Sequence, residues 1–194
     1  MADQVSVERV SALAGYNDPG KTGILGADGI AGVVLQDVRG LVLHQVAGWA
    51  DTMDQAGSAS AKAAGTESAP GPCQASTGKN GSLLRIEPMK LWLVGTEAPE
   101  LDAETGATLD LSHSRTQVRV TGPDAAEFLN RFLPLDLREH AFPVGSVASS
   151  FIHHVGVTLW RSDEGYEIFL PRGFALDLWK GFIEVARQFG LEVA

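Results

Sequence analysis

Only one cysteine, Cys73, occurs in the 194 residues. That excludes an intrachain disulfide framework and suits a reducing compartment. Basic charge is also scarce: 15 Lys and Arg stand against 24 Asp and Glu, for a net charge of −9. No stretch clusters the bases along the chain, which argues against nucleic acid as a partner. No apolar run approaches the ~20 residues a membrane helix needs. The opening "MADQVSVERVS" lacks the basic and apolar regions of a signal peptide. The expectation is a soluble, acidic, cytoplasmic protein that engages neither nucleic acid nor membrane. Large apolar side chains are missing altogether from Gly57 to Ser82. Such a stretch buries little surface against its ordering entropy, so residues 57–82 are expected to be a mobile Gly/Ser/Ala-rich loop that can be shortened at little cost in stability.

One phosphate-loop signature is present in letters alone. Gly15 and Gly20-Lys21-Thr22 satisfy G-x-x-x-x-G-K-[ST], a pattern that works only between a buried strand and a helix N-terminus. Upstream, Val7, Val10, Leu13 and Ala14 follow helical spacing. Downstream, Gly23, Gly26, Gly29 and Gly32 would each weaken a helix by about 1 kcal/mol. Asp18-Pro19-Gly20 reads as a turn, and nucleotide binding is rejected.

The remainder alternates strands and helices. "GVVLQDVRG" and "LVLHQVAGW" read as two strands around Arg39-Gly40, and Asp51 as the N-cap of a following helix. "SLLRIEP" and "KLWLVG" are strands broken at Pro88. "ATLDLSHSRTQVRVTG" is strand-rich, with Thr116, Val118 and Val120 on one face and Arg115, Gln117 and Arg119 on the other. A helix begins at Gly122-Pro123-Asp124, with Ala125, Phe128, Leu129 and Phe132 as its apolar stripe, and ends at Pro134. "SVASSFIHHVGVTLW" and "GYEIFLP" form a hairpin, and a last helix runs from about Phe174 to Phe189 before Gly190. This order predicts an α+β chain of two pseudo-repeated split β-α-β (ferredoxin-like) halves, about 1–98 and 105–194, in a single domain.

The stretch "LDLSHSRTQVRVTGPDAAEFLNRFLPLDL" resembles the first-domain signature of the aminomethyltransferase (glycine cleavage T protein) superfamily. "LLRIEPMKLWLVG", "LPLDLREHAFPVGSVASSFIHHVGVTLWR" and "YEIFLPRGFALDLW" narrow the resemblance to the gamma subunits of heterotetrameric sarcosine oxidases. The resemblance implies the fold of the aminomethyltransferase folate-binding domain and a non-catalytic accessory role. It implies partners as well: an alpha subunit with NAD and a tetrahydrofolate-binding region, a beta subunit with FAD, FMN between the two, and a zinc-binding delta subunit. Such an assembly oxidises N-methylglycine to glycine, hydrogen peroxide and formaldehyde, or methylene-tetrahydrofolate when folate is present. No catalytic, cofactor or metal residue is expected on this chain. The related enzymes carry an Asp pair in the strand after the helix, where this sequence has Val157 and Thr158, and without an acid there is no proton transfer there. The alternative is a stand-alone folate-binding or aminomethyltransferase-like protein.

Other reactive-looking groups lack the placement their chemistry requires. Asp110, Ser112 and His113 suggest a triad, but triad members meet from separate elements, and within one strand His113 points away from the other two. His153 and His154, as strand neighbours, would face opposite ways, one into the sheet, and cannot chelate one ion. Trp49, Trp92 and Trp179 sit among apolar neighbours and are expected in the core. Arg115, Arg119, Trp160 and Arg161 are the expected interface residues, because contact surfaces favour Arg and Trp.

Overall fold

Period-two burial marks "VVLQDV" as a strand, and "LHQVAG" is a second one, but each belongs to a different sheet. The computed structural model describes residues 9–26 and 28–194, so Val7 of the proposed first helix lies outside them. In chain order the elements are β1 (Gly20–Thr22), β2 (Val33–Val38), β3 (Leu43–Gly48), α1 (Met53–Ala64) and β4 (Ala75–Thr77). Then come β5 (Ser82–Glu87), β6 (Lys90–Val94), β7 (Gly106–Asp110), β8 (Arg115–Thr121) and α2 (Ala125–Leu129). The chain finishes with β9 (Val147–Ile152), β10 (Val155–Arg161), β11 (Tyr166–Pro171), α3 (Ala175–Ala186) and β12 (Leu191–Val193).

Among the described residues, seven strands form one sheet in the order β1-β12-β2-β8-β11-β10-β9 and five form another, β4-β5-β6-β3-β7. The larger sheet contains a split β-α-β unit made by β8, α2, β10, β11, α3 and β12, with β8 beside β11 and β11 beside β10; β9, between α2 and β10 in the chain, adds an edge strand. One strand interrupts it. β2 enters between β12 and β8, parallel to the first and antiparallel to the second. In return β7 joins the smaller sheet by pairing with β3. The sheets therefore do not divide at residues 98–105.

Three apolar layers follow. The outer face of the larger sheet buries Val33, Val118, Val120 and Ile168 against Phe128 of α2 and Trp179 and Phe182 of α3. The far face of the smaller sheet packs Val46, Leu83, Leu91 and Leu93 on Ala56, Ala61 and Ala64 of α1. Between the sheets lie Leu43, Leu84 and Trp92 from one side and Val147, Trp160 and Phe169 from the other. Trp92 meets Phe169 edge to face, with centroids 5.5 Å apart.

Several sequence expectations need correction. The stretch 57–82 is ordered: α1 covers its first part, because a surface of small residues (Gly57, Ser60, Ala61 and Ala64 are buried) packs closely without large side chains. Its last part adds β4 to the sheet. The helix starts after Thr52, not Asp51, and has no side-chain cap bond. The helical spacing of Val10, Leu13 and Ala14 makes only turns, with Leu13 buried and Val10 exposed. Trp49 is 47% exposed and donates Nε1 to the Ala103 carbonyl at 3.0 Å, whereas Trp92 and Trp179 are core. "GKT" is an edge strand on β12, with Lys21 3.4 Å from Glu192, and not the mouth of a phosphate loop. A side chain at Gly23 would meet the Arg187 carbonyl at 2.3 Å, so the chain there runs tight against the end of the last helical segment.

Candidate interface site

β8 supplies two of the four expected interface residues, Arg115 and Arg119. Its burial pattern shows why the two-faced reading needs amending: both faces are covered. Val118 and Val120 look toward the helices, while Gln117 and Arg119 look toward the second sheet. There they meet Glu167 of β11, paired opposite Arg119 and fully buried. The Glu167 carboxylate accepts from Arg119 Nε at 2.5 Å, Gln117 Nε2 at 2.8 Å and Ser162 Oγ at 3.0 Å. Arg119 also contacts Glu164. Charge, geometry and saturation of its oxygens together make a buried acid tolerable here.

The other expected contact residues are also turned partly inward. Trp160 is 8% exposed and belongs to the layer between the sheets, so it is not a free surface residue. Arg161 stacks over the Tyr166 ring at 4.2 Å and reaches Glu139 at 3.9 Å. Arg115 lies 5.8 Å from the Trp92 ring, and partial burial pulls its pKa below the usual guanidinium value. Arg119 and Trp160 thus face the seam between the two sheets of one chain. Glu167 is the member that sequence reasoning missed; its signal was a lone acid inside the apolar run "YEIFLP".

Tyr166 caps this region. Its hydroxyl donates to the Leu137 carbonyl at 2.8 Å. Burial raises its pKa, with Arg161 opposing the shift. A raised folded-state pKa means the contribution is complete below the unfolded value of about 10 and is lost as pH rises through the folded value. Thermal melts between about pH 9 and 11 should therefore fall less steeply for Tyr166→Phe than for the parent. Parallel slopes would assign the alkaline loss elsewhere.

The remaining candidates separate in space. Asp110 accepts the Ser112 backbone N–H at 2.8 Å, and Ser112 Oγ exchanges hydrogen bonds with Leu43 N and O at 2.9 and 3.3 Å. His113 is exposed, so the three residues make a turn that joins the sheets rather than a triad. His153 and His154 are the two-residue turn of the β9–β10 hairpin. They are not in a strand, both are exposed, and His153 has φ 54°. Among the described residues no group of three or more His, Cys, Asp or Glu is placed to hold a metal ion. Val157 lies in the helix-side core, while Thr158 is buried opposite Phe169. No described helix is long and apolar enough to cross a membrane.

A strand-exchanged pair of sheets, with helices on the outer faces and its polar groups spent on an internal seam, defines an aminomethyltransferase-like α+β protein. The GCVT N-terminal domain family matches residues 93–194, and the chain belongs to that family. It is similar to the sarcosine oxidase subunit gamma of Arthrobacter sp., with 34% identity over 91 residues, which are 47% of this chain and 45% of that protein. The matched stretch thus spans about half the length of that curated relative. Among solved structures, heterotetrameric sarcosine oxidase from Corynebacterium sp. U-96 in complex with pyrrole 2-carboxylate superposes with TM-score 0.65 at 24% identity, covering 81% of this chain and 85% of the matched one. The glycine cleavage system aminomethyltransferase T from Bartonella henselae gives TM-score 0.56 at 19% identity, covering 84% and 47%. Both share the fold.

Proposed function

We propose that this chain is a non-catalytic accessory subunit of a flavoenzyme resembling heterotetrameric sarcosine oxidase. The observation that carries the proposal is in β10. Where the resemblance to aminomethyltransferases implies a pair of acids, Val157 and Thr158 are both buried in packing. A buried valine and threonine provide neither a proton donor nor an acceptor of useful pKa. Similarity to gamma subunits supports the assignment. On this reading alpha, beta and delta partners bring FAD, FMN, NAD, zinc and tetrahydrofolate, and the oxidative demethylation of sarcosine takes place on them. The chain acts in the cytoplasm by docking. Arg115 and Arg161, the two expected contact arginines not locked to the buried Glu167, belong to the docking surface.

The test compares the chain alone with the chain co-expressed with its partner subunits. Alone, it should show no flavin absorbance and no sarcosine-dependent peroxide. With partners, it should co-purify, and its omission should lower the yield or stability of the flavoenzyme. Arg115→Glu should weaken association by about 2 kcal/mol, as a lost desolvated Arg contact typically does, while its melting midpoint confirms that it is folded. Peroxide formation or demethylation by the isolated chain would refute the accessory role.

A further inference from the structure

A cleft away from the buried seam collects charge in a way the acidic composition does not suggest. It opens where the N-terminal segment, the β2–β3 connection, the start of β8 and the end of β11 converge. Its walls include Arg9, Arg39, Arg115 and Arg172, with Asp37 as the carboxylate among them. In a chain of 24 acids and 15 bases, four guanidinium groups against one acid invert the overall balance.

The one acid is already engaged. Asp37 is buried, accepts from Asn17 Nδ2 at 3.1 Å and faces Arg39 Nε at 3.6 Å. The other three cations meet no carboxylate among the described residues. Arg9 donates to the Leu41 and Ser112 carbonyls, Arg172 Nη2 to the Val10 carbonyl at 2.7 Å, and Arg115 Nη1 to the Ser114 carbonyl at 3.2 Å. Neutral carbonyls orient these groups without cancelling their charge. Burial also disfavours the charged form of Arg115, which a nearby anion would counter.

The cavity measures about 140 Å³, well under the roughly 300 Å³ at which cofactor-sized sites begin. It has room for one small group. Guanidinium forks match the two oxygens of a carboxylate.

We infer that this cleft binds a single carboxylate through Arg115 and Arg172, with Arg9 shaping its wall. The carboxylate is that of a small free acid or of an acidic side chain on a docked partner. The inference does not depend on the accessory-subunit reading, except in the arm that asks which source applies.

Calorimetry on the full isolated chain with acetate and with succinate tests it, using chloride at matched ionic strength as control. Saturable binding is expected, weakened about tenfold or more by Arg115→Gln or Arg172→Gln, and unchanged by Arg131→Gln, which lies elsewhere beside Glu127. Arg172 is the surface member of the set, so its variant keeps the test decisive if Arg115→Gln folds poorly. Absence of saturation, equal displacement by chloride, or indifference to both arginine variants would overturn the site. Repeating the titration on the assembled complex identifies the source. Loss of acetate binding with the arginines intact assigns a partner's acidic side chain, and retained binding assigns a free acid; both agree with the pocket.

Discussion

Arg119→Leu should lower the thermal midpoint by about 10 °C. The Glu167 carboxylate is fully buried and takes its charge balance from Arg119 Nε at 2.5 Å. Gln117 and Ser162 remain as donors at 2.8 and 3.0 Å, but neither carries charge. Breaking a buried pair on one side typically costs about 3–5 kcal/mol, because the other charge is left uncompensated. Arg119 retains 23% side-chain exposure, so water reaches part of the pair and the lower end, about 3 kcal/mol, applies. For a chain of this size each kcal/mol is roughly 2–4 °C. The double variant Arg119→Met/Glu167→Leu should recover most of the loss, since replacing both partners by apolar groups removes the stranded charge. A fall of less than about 3 °C in the single variant would mean that solvent screens the pair.

That pair also marks where sequence reading reached its limit. Alternation identified β2, β3, β5, β6 and β8 as strands, and the Phe128, Leu129 and Phe182 spacing located the two helices of the larger sheet. Periodicity, however, says which faces are apolar and not which strand they pair with. β2 and β3 are neighbours in sequence and sit in different sheets, with Gly40 at φ 73° in the connection between them. The second face of β8, lined by Arg and Gln, reads as a surface in the sequence. A buried acid 48 residues further on made that face an interior. The carboxylate-binding cleft was illegible for a similar reason. Its arginines stand at 9, 39, 115 and 172, so no window of sequence contains a basic cluster, and only the fold assembles one.

Deleting Thr66 to Lys79 should also cost about 10 °C, contrary to what its composition suggests. The segment lacks large apolar groups, yet it stitches the sheets together through its backbone. Val147 N, at the start of β9 in the larger sheet, donates to the Cys73 carbonyl at 2.9 Å, and Ala75 N donates to the Gly145 carbonyl at 2.7 Å. On the other side Arg85 N of β5 donates to the Gln74 carbonyl at 2.8 Å, and β4 pairs with β5 from Ala75 to Thr77. Each such bond contributes about 0.5–1.5 kcal/mol net, and the deletion would leave half-buried partners on β5 and β9 unsatisfied. Ala69 would also leave the small-residue surface beneath α1. Rejoining the ends introduces little strain of its own, because Asn80 N already donates to the Ala64 carbonyl at 3.1 Å and closure entropy varies slowly with length. A summed loss of about 3 kcal/mol corresponds to roughly 10 °C. Thermal melts of the deletion variant decide between the two accounts: a midpoint within about 2 °C of the parent would return the segment to the mobile loop its composition describes.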